Sequence, residues 1–172
     1  MPRTSMHSDT CRTITIRPMI PADRPAVADI VEAVGNFNPV EIDVALELID
    51  IYLNDENQRD YLIVVATDRE GVVRGYACWG PVPLTKGTYD LYWIATHPSV
   101  QGQGYGRAVM EYVEDRVRLE NGRLLVLETS AKESYGATVR FYRNLGYEEA
   151  SRIRDFYDVG DDKLVFVRRI SR

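Results

Sequence analysis

The run Gln101-Gly102-Gln103-Gly104-Tyr105-Gly106-Arg107 concentrates more chemical potential than any other stretch of the chain. Three glycines in five residues leave the backbone bare, so successive N–H groups can converge on an anion. A helix starting there adds the partial positive charge of its dipole. Such a loop suits a phosphate or pyrophosphate. It is not a Walker loop, which needs Lys and then Ser or Thr after the last glycine, where this chain has Arg107-Ala108. It is not a dinucleotide fingerprint either: that needs G-x-G-x-x-G directly after a strand, and here G-x-G-x-G follows a loop. On glycines alone, a turn that merely starts a helix explains the run equally well.

The elements around this loop follow from hydrophobic period. Residues 13–17 alternate and predict a strand. Residues 22–34 carry Val27, Ile30, Val31 and Val34 at helical spacing, stopped by Gly35. A second helix is expected over 39–53, with Pro39 in its first turn and Ile42, Leu46, Ile49 and Leu53 as its stripe. The period then shortens. Residues 61–66 and 72–79 predict a hairpin around a turn at 68–71, and 88–96 a third strand of the same sheet. A helix over 104–120, a strand over 123–128, a short helix over 134–145 and a closing hairpin over 147–157 and 163–170 complete the chain. The order is β-α-α-β-β-β-α-β-α-β-β: antiparallel hairpins around one β-α-β unit, hence a mixed-sheet α/β fold.

The segment from Leu91 to Ala108, containing Gln101, Gly104 and Gly106 at fixed spacing, resembles the acyl-CoA-binding motif of the GCN5-related N-acetyltransferases (GNAT). Phe141-Tyr142-Arg143-Asn144-Leu145-Gly146-Tyr147 is similar to that family's second signature, an aromatic-Tyr pair followed by Gly and an aromatic. The resemblance spans roughly residues 13–170. It implies a splayed sheet, with acetyl-CoA as co-substrate. Its pantetheine would pair with the backbone of Ile94, Ala95 and Thr96, and its pyrophosphate would lie on the amides of Gly102, Gln103, Gly104, Tyr105, Gly106 and Arg107. Two positions depart from the pattern: Gln103 stands where the family often has a basic residue, and Tyr135 where many members have a cofactor-contacting Asn.

Acyl transfer to an amine needs a base for the amine, donors for the oxyanion and an acid for the departing thiolate. The resemblance makes Tyr142 the acid; without it, an aromatic packing its helix with Val139 and Leu145 is the simpler reading. Asp90, eleven residues before Gln101, stands where histone-type members place their base. Strand alternation predicts Asp90, Tyr92, Ile94 and Thr96 on one face; the competing reading is a solvated carboxylate. His97 reads as part of a His-Pro turn, Cys78 as a small buried residue, Asp161-Asp162 as a turn, and Glu128 as either cleft-lining or exposed. Tyr89, Tyr92, Tyr135, Tyr142, Phe156 and Tyr157 are expected to form an aromatic wall, with Asp90 and Asp155 meeting an ammonium group.

The 172 residues allow one domain over 13–172 after a polar, flexible tail over 1–12. Net charge is -5, which disfavours nucleic acid as a partner. No apolar run reaches membrane-spanning length. Two cysteines, Cys11 and Cys78, form no disulfide framework or metal site, pointing to the reducing cytoplasm with no metal. A small amine is the expected acceptor, and a homodimer is compatible with the chain. A peptide or protein acceptor, or a non-catalytic acyl-CoA sensor on the same fold, are the rivals.

Overall fold

A computed structural model describes residues 13–171. The tail expected over 1–12, with Cys11, lies outside the described residues. The elements come in the expected order: β1 (Thr15–Pro18), α1 (Arg24–Ala33), α2 (Pro39–Asn54), β2 (Leu62–Thr67), β3 (Val73–Pro81), β4 (Thr88–Thr96), α3 (Tyr105–Leu119), β5 (Leu124–Ser130), α4 (Gly136–Asn144), β6 (Glu148–Asp158) and β7 (Asp161–Arg169). Boundaries shift where side chains take over backbone groups. A 3₁₀ turn over Pro21–Asp23 delays α1, because Asp23 accepts from the Ile20 amide at 2.9 Å and from both terminal nitrogens of Arg17 at 2.6 and 2.8 Å. Helix α2 opens on a reciprocal cap: Asn38 accepts from the Glu41 amide while Glu41 accepts from the Asn38 amide.

The seven strands form one sheet in the order β1-β2-β3-β4-β5-β7-β6. Every neighbouring pair is antiparallel except β4 with β5, the pair joined by the α3 crossover. Alternation within β2 divides the core. Val64 and Ala66 join Val109, Met110, Val113 and Val117 of α3 on one face, together with Tyr142 of α4. Ile63 and Val65 join Val27, Ile30 and Val31 of α1 and Ala45 and Ile49 of α2 on the other. No described member of that second cluster comes from β5, β6 or β7. Helices α1 and α2 therefore cover only the β2–β4 half of their face. No helix among the described residues is long and apolar enough to cross a membrane.

Two irregularities shape the centre of the sheet. The β4–β5 ladder pairs only Thr88 to Leu91 with Leu124 to Leu127, although β4 continues to Thr96 and β5 to Ser130. Beyond Leu91 the strands part, and the β4 edge that faced β5 loses its ladder. The β3–β4 register also slips: Cys78 faces Trp93 but Trp79 faces Leu91, leaving Tyr92 as an extra residue, a β-bulge.

That bulge corrects the expected strand face. Alternation restarts after Tyr92, so Tyr89, Leu91 and Ile94 pack towards α3 while Tyr92, Trp93 and Ala95 pack towards α1 and α2. Thr96 follows Ile94, lying beside Gly106 of α3. Asp90 falls on the α1/α2 face, opposite to Ile94 and Thr96.

Candidate active site

Where β4 and β5 diverge, the sheet opens into a cleft of about 770 Å³. One wall is the β4 edge at Ile94, Ala95 and Thr96; the floor is Gln101, Gly102, Gly104, Tyr105, Gly106 and Arg107; the far wall is α4, with Ala137, Phe141 and Tyr142. The glycine loop has the geometry its sequence predicts. Gly104 caps α3 at φ 91°, a left-handed conformation, and a Cβ there would project into open space. Gly106 lets α3 pass close to α4: a Cβ would stand 3.2 Å from the Phe141 ring. The amides of Tyr105, Gly106 and Arg107 occupy the first turn of α3, where no preceding carbonyl can accept from them. They are oriented donors at the positive end of a helix dipole.

Two positions considered for the cofactor, Gln103 and Tyr135, lie outside the cleft lining. The Gln103 amide donates to the Val100 carbonyl at 3.1 Å and its side chain to the Ser99 carbonyl at 3.0 Å, closing the turn that precedes α3. The Tyr135 hydroxyl donates to the Asn36 carbonyl at 2.7 Å. That bond ties the start of α4 to the α1–α2 connection, and Val34 and Asn36 of that connection line the same cleft. Sequence inspection missed these two because their contact with α4 joins positions about a hundred residues apart.

Tyr142 is 4% exposed and packs on Tyr147 and Phe166 while lining the cleft. It packs in the core on one side and borders the cleft on the other. Burial raises its phenol above the ordinary value, so it stays protonated and can donate. Cys78 is buried, and burial alone pushes its thiol up to about 12, which removes it as a nucleophile. His97 accepts the Ser99 amide through Nδ1, serving as the cap of the 3₁₀ turn Pro98–Val100.

A second cluster lies on the α1/α2 face at the mouth of the splay. Asp90 is half-buried, and its carboxyl is raised first by burial and then by the charge of Glu128, with Lys163 acting in the opposite sense. The Lys163 ammonium is 3.0 Å from each Glu128 oxygen. Tyr92 stands beside Asp90, with Tyr61 edge-on to it at 5.6 Å. Glu128 is exposed, one of its two expected readings, and still acts on Asp90; Lys163 was not anticipated. Its position on β7 gives alternation but no cue to its partner on β5.

The expected aromatic and acidic wall is smaller than the sequence suggests. Tyr89 faces α3 and donates to Glu120 at 2.8 Å, away from the cleft. Asp155 accepts from the Gly160 amide at 2.6 Å, which fastens the β6–β7 turn instead of facing an ammonium group. Asp161 is not a turn residue: it begins β7, is buried, accepts from the Ser130 hydroxyl at 2.5 Å and pairs with Lys132 at 3.1 Å. Phe156 and Tyr157 remain exposed on β6.

The Acetyltransferase (GNAT) domain matches residues 59–149, which contain the cleft floor, the splay and α4. A crystal structure from Desulfovibrio desulfuricans, assigned to the GNAT family as an acetyltransferase, superposes with a TM-score of 0.87 at 42% identity, covering 92% of this chain and 100% of the other. The [ribosomal protein bS18]-alanine N-acetyltransferase of Escherichia coli K12 is 36% identical over 73 residues, 42% of this chain and 48% of the relative. The chain thus spans about half the length of that relative. The L-methionine sulfoximine/L-methionine sulfone acetyltransferase of Pseudomonas aeruginosa is 26% identical over 133 residues, 74% of this chain and 76% of the relative. Cleft, signatures and these likenesses agree that the chain belongs to the GNAT acetyltransferase family.

Proposed function

We propose that residues 13–172 act as one catalytic domain that moves an acetyl group from acetyl-CoA to the amine of a small acceptor by direct attack. One observation carries the reading: the α3 amide cradle, the unpaired β4 edge and the Tyr142 side chain all border one cleft. The cradle fits a pyrophosphate, because Gly104 leaves open space where a side chain would stand. The β4 edge beyond Leu91 offers backbone donors and acceptors that pantetheine can satisfy. Bound acetyl-CoA supplies the activated thioester. Amides of the same edge are the oxyanion donors. Asp90, whose raised carboxyl is a stronger base than a solvated one, takes the amine proton directly or through a water. Tyr142 hands its proton to the leaving thiolate.

Supporting the small acceptor are the acetyltransferase relative named for methionine sulfoximine and the compact α1–α2 connection. A peptide or protein acceptor is favoured by a different observation: β6 is an edge strand exposed along its length, with Ile153, Phe156 and Tyr157 outward, and a relative is named for ribosomal protein bS18. The test is acetyl-CoA-dependent thiol release across polyamines, amino acids, aminoglycosides and basic peptides at equal amine concentration. Efficient turnover of a small amine is expected. Turnover of peptides alone overturns the small-acceptor reading, and CoA binding without any turnover favours the sensor.

A further inference from the structure

Lys163 is nearly enclosed although it is a lysine. Its side chain is 13% exposed, whereas the Glu128 side chain it holds is 46% exposed. A partly desolvated ammonium gains from a counter-charge, and this one has two contacts: the Glu128 carboxylate and the Phe156 ring, whose centroid lies 4.0 Å from it. The sheet register explains how these residues meet. Asp90 of β4 is opposite Val126 of β5, Glu128 of β5 is opposite Val165 of β7, and Lys163 of β7 is opposite Ser130 of β5. Leu125, Leu127, Leu164 and Phe166 all turn towards α3, so Glu128 and Lys163 turn the other way, onto the face that holds Asp90. Asp90, Glu128 and Lys163 form a diagonal row across three adjacent strands, where α1 and α2 leave the sheet uncovered.

Resting on the acetyl-transfer reading above, we infer that Lys163 is a positioning residue for the carboxylate pair: it clamps both oxygens of Glu128 and leaves Asp90 to take the acceptor's proton. In that step an N–H bond of the acceptor ammonium breaks and an O–H bond forms on Asp90. The bonding electrons remain on nitrogen as the attacking lone pair. Lys163 itself gives up nothing. The charged or titratable groups acting on Asp90 are Glu128 from β5 and Lys163 from β7; Tyr92 of its own strand adjoins it. The two charges pull in opposite senses, because a neighbouring carboxylate disfavours ionisation of Asp90 and a neighbouring ammonium favours it. Without the lysine, the Asp90 and Glu128 carboxylates would face each other uncompensated beside the splay.

The opposite signs give the test. Asp90 is followed by 13C NMR in protein labelled at Asp carboxyl carbons, with its resonance assigned from Asp90→Asn. The pH profile of kcat/KM is recorded on the same proteins. Lys163→Met should move both the Asp90 titration and the acid limb upward by roughly one pH unit. Glu128→Gln should move both downward, and Lys163→Arg should restore wild-type values. A merely structural lysine would lower activity evenly at all pH and leave the titration in place. An unmoved Asp90 in Lys163→Met, the same direction in both variants, or a moved titration with an unmoved acid limb overturns the inference. The titration needs no turnover, so loss of the acetyl-transfer reading, seen as a wild-type protein inert towards every amine, is distinguished from loss of this one.

Discussion

The glycine-loop cleft and the Asp90 cluster are built on different principles. The floor proposed to receive the donor is backbone: amides at the start of α3, contributed by residues 101–107, held by two left-handed glycines, Gly102 and Gly104, and one close helix approach. The cluster proposed to meet the acceptor is side chain: Asp90, Tyr92, Glu128, Lys163 and Phe156 come from four strands and gather on the α1/α2 face beside the splay. A backbone cradle tolerates most side-chain changes and suits an invariant ligand such as CoA. A side-chain cluster can be altered one residue at a time, which suits acceptors that differ among relatives named for a ribosomal protein and for an amino-acid derivative.

The contrast can be broken most sharply at Tyr142, which borders the glycine-loop cleft and is proposed to act on the reaction rather than on binding. Tyr142→Phe keeps the packing on Tyr147 and Phe166 and removes the proton donor. Turnover should fall by about 10–1000-fold while calorimetry finds CoA affinity unchanged. A parallel loss of CoA binding would mean the residue is architectural only. On the donor floor, Gly104→Val places a branched side chain in the open space at φ 91°. CoA affinity should drop about 10–100-fold, since the side chain would stand in the pyrophosphate's place and amide contacts to a charged group are worth ~1.5–3 kcal/mol. Unchanged affinity in a folded variant would remove the cradle from the account.

On the acceptor side, Asp90→Asn should cost roughly tenfold in kcat/KM near neutrality, with the gap closing as pH approaches the acceptor amine's own value. Equal activity across the range would place the base elsewhere. The same change should stabilise the fold. Because the folded Asp90 carboxyl is raised, the native state holds its proton more tightly than the unfolded chain does. Stability therefore falls as pH rises from the unfolded value near ~3.9 through the folded one, and Asn escapes that loss. A Tm gain of ~1–3 °C at neutral pH, absent below pH ~4, is the expected outcome. The smallest effect belongs to Tyr135→Phe, which removes the bond to Asn36 across the cleft. CoA release in stopped-flow should quicken by about fivefold, the equivalent of one hydrogen bond of ~1 kcal/mol.

Asymmetry between the two regions also decided what could be read in advance. The glycine loop, the helix it starts and the order of all eleven elements follow from local information: glycine spacing, helical period, a proline in a first turn. Such signals act within a turn or two of chain, so a linear sequence carries them whole. The face of Asp90 was lost to one residue. A bulge at Tyr92 follows from how β4 pairs with β3, and it reverses the alternation that placed Asp90 with Ile94 and Thr96. Likewise Gln103 and Tyr135 stand at positions where the resembled family contacts its cofactor, whereas here they bond to the carbonyls of Ser99, Val100 and Asn36. The sequence alone determined the backbone cradle and its helix, because those are short-range consequences of glycine and period. Only the tertiary structure decided that Glu128 and Lys163 stand beside Asp90, because cross-strand register is set by the packing of the entire sheet and no local residue encodes it.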